Sequence, residues 1–189
     1  MDTGVLVLLI LVLLAVVALA AFLAQRRRTQ NLQQRFGPEY ERTVARAGGQ
    51  RTAESELRAR EHRRRELHIV PLEPAARDRY QDAWRKTQSR FADDPGTTIR
   101  EADALVTLVM RDRGYPVDDF EQQAADVSVD HPDVAENYRA AHALSRANEK
   151  GLAGTDDLRQ AFMLYRSLFA QLLDADGDNR KEAPHDGPR

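Results

Sequence analysis

The sequence predicts an all-α protein: an N-terminal transmembrane helix, a polar helical stalk, then a compact bundle of about five helices. Three observations carry the prediction. Residues 4–24 form an apolar run without a charge, and from Glu73 onward apolar residues recur at helical spacing. No segment alternates apolar and polar residues with the β-branched enrichment expected of strands. The resulting division is an anchor over 1–25, a basic linker and stalk over 26–71, a bundle over 72–173 and a disordered tail over 174–189.

The anchor reads GVLVLLILVLLAVVALAAFLA. Its twenty-one residues make a helix about 31 Å long at ~1.5 Å per residue, matching a hydrocarbon core ~30 Å thick. A cleaved signal peptide is the alternative. It requires a basic leader and an apolar stretch of ~7–15 residues, whereas Asp2 is the only charge ahead of this longer run. Arg26, Arg27 and Arg28 follow the span directly. Positive charge stays on the cytoplasmic side, which sets the N-terminus outside and the body inside, at the inner cell membrane. The same three arginines, with Arg35 next in line, are the expected contacts to anionic lipid.

The formal charge of −2 conceals two opposed blocks. Residues 26–65 carry twelve Arg against five Glu, a net of +7. Residues 66–189 carry sixteen basic against twenty-four acidic side chains, a net of −8. Cysteine is absent, which excludes disulfides, thiolate metal sites and Cys nucleophiles. Only three of the twenty-eight basic residues are Lys, a bias that fits a GC-rich bacterial genome.

Gly37-Pro38 and Gly48-Gly49 break the basic segment. From Gln50 to Leu67 the residues are good helix formers, with Glu54–Arg58, Glu56–Arg60 and Glu61–Arg65 at i,i+4. No large apolar residue lies between Leu57 and Leu67, so the expected helix is a solvated stalk rather than a sustained coiled coil. Nucleic acid is an alternative partner for Arg60, Arg63, Arg64 and Arg65. It is disfavoured because no aromatic is interleaved from 50 to 67 and five Glu dilute the field.

In the body, Pro74 suits a first helical position, and Tyr80, Trp84, Thr87 and Phe91 form an apolar stripe behind it. Asp94 caps the next helix, whose inner face is Ile99, Ala102, Leu105, Val106, Val109 and Met110, with Gly114 and Pro116 ending it. A short helix covers Asp118 to about Val127. Pro132 opens another, running to about Lys150, with Val134, Tyr138 and Ala141 inward. Thr155 is read as the cap of the last helix, which places Leu158, Ala161, Phe162, Tyr165, Leu168, Phe169 and Leu172 on one face.

Two stretches invite a chemical reading. Ser128, Asp130 and His131 have the residue types of a nucleophile, carboxylate and base, but a triad assembles from separate elements and no glycine-framed elbow surrounds this Ser. A turn before a Pro-initiated helix accounts for them. His131 and His142 lack a third metal ligand. Asp174, Asp176 and Asp178 have calcium-loop spacing, but Asn179 and His185 occupy the sixth and twelfth positions, where Gly and Glu are needed. Neither a catalytic residue nor a cofactor is assigned. The candidate ligand or partner contacts are Arg111, Arg113, Tyr115, Asp118, Asp119 and Phe120, two arginines facing two carboxylates with aromatics between them.

Arg35-Phe-Gly-Pro-Glu-Tyr40, Arg113-Gly-Tyr-Pro116, Ser128-Val-Asp-His-Pro132 and Thr155-Asp-Asp-Leu-Arg159, behind a basic-flanked anchor, give the chain its landmarks. In these it resembles a group of uncharacterised bacterial single-pass membrane proteins over most of its length except the tail. The resemblance implies the architecture and no activity. The expectation is a membrane-tethered interaction module that meets the lipid bilayer and another protein, or a second copy of itself. Its alternatives are a sensor of a small anion at Arg111–Asp119 and, more remotely, a nucleic-acid-binding protein or a hydrolase.

Overall fold

The computed structural model describes residues 3–179. Among them are eight helices and no strand: α1 (Thr3–Phe36), α2 (Pro38–Ala47), α3 (Gln50–Glu66), α4 (Pro74–Ser89), α5 (Pro95–Asp112), α6 (Phe120–Asp130), α7 (Pro132–Glu149) and α8 (Thr155–Asn179). The chain falls into two compact units, one ending at Leu57 and the other beginning at Arg58, so the division lies inside α3.

In the first unit α1 is apolar on all sides from Ile10 to Ala24. Ile10 to Leu23 contribute large side chains that are 45–63% exposed, and an 18-residue window inside Ile10–Phe36 has a mean hydropathy of 2.0, so this helix is long and apolar enough to cross a membrane. Past Gln25 the helix becomes amphipathic, with Leu32 and Phe36 buried. It stops where Gly37 takes φ +48° and Pro38 opens α2; α2 in turn stops at Gly48, φ +70°. Both expected breaks therefore occur, and the short segments fold back on α1 instead of extending from it.

The centre of this unit is a buried carboxylate. Glu54 is 4% exposed, and its Oε1 accepts hydrogen bonds from the Thr29 hydroxyl (2.7 Å), Gln50 Nε2 (2.9 Å) and the Tyr40 hydroxyl (3.3 Å). Three donors on one oxygen offset the cost of taking the charge out of water. Burial, and then the Glu54 charge, raises the Tyr40 phenol above its ordinary value, so it remains a donor.

In the second unit α8 packs against α5 and α7, α4 lies on α5, and α6 lies on α7. Every inward residue predicted for α5, α7 and α8 is buried. Trp84 stacks on Phe162 (5.2 Å between ring centroids) and Phe169 (4.5 Å), joining α4 to α8. Asp94 caps α5 by accepting from Thr97 N at 3.0 Å, which lowers its carboxyl below the ordinary range.

Three expectations need correction. The stalk does not stand in solvent over its whole length: Arg60 is 2% exposed, and Arg60, Arg63 and Arg64 all bond to α6. An apolar stripe was the wrong criterion, because this part of α3 is held by charge and hydrogen bonds. Residues 67–73 follow against the end of α5, where Val70 N donates to Arg113 O at 2.9 Å. Gly114, φ +94°, allows that approach, since a Cβ there would lie 2.3 Å from His68 O. Second, Thr155 is the first residue of α8 rather than its cap. Gly154 precedes the helix, and the Asp157 carboxylate reaches back to its N–H at 2.9 Å. Third, α8 continues through residues 174–179, which were assigned to the tail; 180–189 lie outside the described residues.

Candidate functional site

The most developed polar cluster in the body joins α5, α6, α7 and α8. Asp103 follows the fully buried Ala102 and so stands at the edge of α5's inner face, its side chain 29% exposed. From α8, the fully buried Tyr165 donates its hydroxyl to Asp103 Oδ1 at 2.8 Å. From α7, His142 brings Nδ1 to 3.9 Å from the same oxygen, just beyond hydrogen-bond reach. Phe120, at the start of α6, lies flat on the imidazole at 3.7 Å and 12°, and meets Tyr138 edge-on at 5.0 Å. Tyr138 in turn donates to Gln123 Oε1 at 2.8 Å.

Burial is the main force on both phenols, and the negative Asp103 adds to it. Tyr165 and Tyr138 are pushed well above the ordinary phenol value, so they stay protonated and act as donors rather than nucleophiles. At this cluster the His142 and Asp103 side chains are 26% and 29% exposed, and the His142 Nδ1 is buried without a hydrogen-bond partner.

A second cluster binds α3 to α6. Arg60 Nη1 donates to Ser128 Oγ at 3.3 Å, and Ser128 donates to Ala125 O at 2.7 Å. Arg63 Nε (3.3 Å) and Gln122 Nε2 (2.7 Å) both donate to Oδ1 of Asp126, a side chain with no exposure. Arg64 pairs with Asp130, which also accepts from Tyr115 at 2.8 Å. Burial is the largest influence on two neighbours: it raises the Tyr115 phenol and lowers the His131 imidazole. The hydroxyl of Ser128 is committed to a helix carbonyl, so Ser128, Asp130 and His131 do not form a nucleophile–base pair. Among the described residues no group of three or more His, Cys, Asp or Glu is arranged to hold a metal ion.

The six residues singled out from sequence are not gathered on one surface. Arg111 and Asp118 are exposed. Arg113 is buried and donates to Leu172 O at 2.5 Å, fixing α8 beside the end of α5. Tyr115, a candidate contact, is only 3% exposed because its ring and hydroxyl complete the α3–α6 cluster. Asp119 caps α6, accepting from Gln122 N at 2.8 Å, and Phe120 is half-buried on His142. Arg26, Arg27 and Arg28 are exposed on α1. Sequence reasoning missed Asp103 and Tyr165; the available signal was a Tyr on the innermost face of α8, whose hydroxyl needs a buried partner.

A shallow apolar groove of about 290 Å³ runs between α4 and α5. Ala83, Thr87, Ala104, Leu105 and Leu108 line it, with Lys86, Arg90 and Glu101 at its rim. Leu108 is 42% exposed there, and Arg90 is tied to Glu101 at 2.6 Å. Compared with family models, curated proteins and solved structures, the chain returns no match.

Proposed function

We propose that this chain is a single-pass membrane protein of the bacterial inner membrane, with its N-terminus outside and its helical body serving as a protein-interaction module in the cytoplasm. The observation that carries the reading is α1, whose large apolar side chains between Ile10 and Leu23 are exposed on every side. Such a surface is stable in lipid and costly in water, at ~25 cal/mol per Å² of apolar area. Arg26, Arg27 and Arg28 at its end support the orientation. The resemblance to bacterial single-pass membrane proteins points the same way.

The interaction role draws support from the α4–α5 groove, whose exposed Leu108 suits an apolar side chain of a partner protein. The test has two parts. Alkaline extraction of membranes should leave the full-length chain in the pellet; release into the supernatant would refute the anchor. Crosslinked capture from those membranes should yield a partner that Leu108→Glu loses and Leu152→Glu, an exposed residue away from the groove, retains. Equal capture by both variants would exclude the groove as the docking surface.

A further inference from the structure

We propose that the turn between α2 and α3 returns to the bilayer surface, where Arg51 joins Arg26, Arg27 and Arg28 in one basic collar for anionic phospholipid headgroups. The inference rests on the membrane-anchored reading of α1 and adds a contact that chain order conceals, since Arg51 lies twenty-three positions beyond Arg28.

The geometry comes from Thr29. Two residues one turn apart on α3 reach it: Glu54 Oε1 accepts from its hydroxyl at 2.7 Å, and Gln50 Nε2 donates to its oxygen at 3.4 Å. The first turn of α3 therefore lies beside Thr29 rather than beside the far end of α1. Thr29 is five residues past Ala24, about 7 Å along the helix at ~1.5 Å per residue. The headgroup zone on each side of a bilayer is ~5–8 Å deep, the difference between a ~30 Å core and a ~40–45 Å total thickness. The level of Thr29 is thus the headgroup level. The path closes: Gly37 lies about 12 Å beyond Thr29, and the ten residues of α2 cover about 15 Å on the return.

Side chains at the turn agree with this placement. Arg51, Arg26, Arg27 and Arg28 are all exposed, and among the described residues none of the four is engaged by a carboxylate. Arg46, also near the turn, is paired with Glu56 and contributes less. A Cβ added at Gly48 or Gly49 would meet nothing within 4 Å, so the tip of the turn is open to whatever lies below it. A guanidinium binds phosphate oxygens in a fork, and each basic residue at an anionic surface is worth about fivefold in affinity.

The chain's lack of cysteine makes the test direct. The full-length protein is reconstituted into vesicles of phosphatidylcholine mixed with phosphatidylglycerol, with one fluorophore at Gly49→Cys, Gln25→Cys or Gln34→Cys. Spin-labelled headgroups then quench it. Quenching at position 49 should match that at 25 and exceed that at 34. Spin-labelled phosphatidylglycerol should quench position 49 more than spin-labelled phosphatidylcholine, and Arg51→Gln should cut this preference by up to about fivefold. Strong quenching at 25 with none above the position-34 level at 49 would overturn the collar and leave the anchor intact. Equal quenching by both lipids, unchanged by Arg51→Gln, would overturn the anionic preference. Absence of quenching at position 25 would refute the anchored reading, and the collar with it.

Discussion

Removing the Arg63 side chain tests whether the end of α3 belongs to the helical body. Asp126 has no exposed side-chain surface, and Oδ1 takes both of its donors, Gln122 at 2.7 Å and Arg63 at 3.3 Å. Its other oxygen, Oδ2, is buried without a hydrogen-bond partner. In Arg63→Ala the carboxylate would keep one neutral amide donor and lose its nearby positive charge. Breaking a fully buried ion pair costs ~3–5 kcal/mol, and a hydrogen bond to a charged group is worth ~1.5–3 kcal/mol. Arg63 is itself 42% exposed, so solvent screens part of this, and ~1–2 kcal/mol is the expected loss. Unfolding of the full-length chain in detergent is followed by Trp84, the single tryptophan, which is buried in the body. A loss of that size lowers Tm by roughly 2–8 °C for a protein of this length. Repeating the substitution in an Asp126→Asn background removes the charge and should reduce the effect to under about 0.5 kcal/mol. If Arg63→Ala costs less than about 0.5 kcal/mol in both backgrounds, this part of α3 is a solvated stalk and the docking argument fails.

Other perturbations probe the remaining features. Burial holds the His131 imidazole below its ordinary value of ~6.5, so as pH falls past that point the unfolded chain takes up a proton that the folded one resists. Stability should therefore drop as pH falls below about 7, and His131→Gln should flatten that part of the Tm–pH curve; an unchanged slope would remove His131 as the source. Tyr165→Phe deletes the hydrogen bond to Asp103 and should cost ~0.5–1.5 kcal/mol by urea unfolding, with little change in helix content by circular dichroism. Phe169→Ala opens a cavity beneath Trp84 and should cost ~3–5 kcal/mol, with a shift in Trp84 emission. Gly114→Ala should destabilise the body by at least ~1 kcal/mol, because φ +94° disfavours a side chain and the new Cβ would press on His68 O.

The body's helices were legible because each carries its own signals. Ile99 to Met110 repeat at helical spacing, Asp94 and Pro95 mark a start, and Gly114 marks a stop. The same rules failed for α3, since they recognise burial only through apolar residues. Arg60 is buried through a hydrogen bond to Ser128, sixty-eight positions away, and no local pattern announces a partner that remote. The burial of Tyr115 was hidden for the same reason: its partner Asp130 and the overlying Arg64 come from two helices, α6 and α3. The Asp103–Tyr165 pair spans sixty-two positions and was equally hidden. Short range made Gly37-Pro38 and Gly48-Gly49 readable as breaks, but not the folding-back of α2 and α3, which is fixed by Thr29, Tyr40 and Glu54 together.

The spacing of these contacts also sets a timetable. Glu54 finds its donors at Thr29, Tyr40 and Gln50 within twenty-five positions, so the first unit can close once residue 57 has left the ribosome. The body cannot, because Arg113 waits for the carbonyl of Leu172 and Asp103 for Tyr165. At ~5–20 residues per second, the roughly 115 residues between Leu57 and Leu172 take about 6–23 s to synthesise. Within that interval Trp84 and the inner face of α5, once made, have no α8 to cover them, and this is the stage at which a nascent-chain chaperone would have its opportunity.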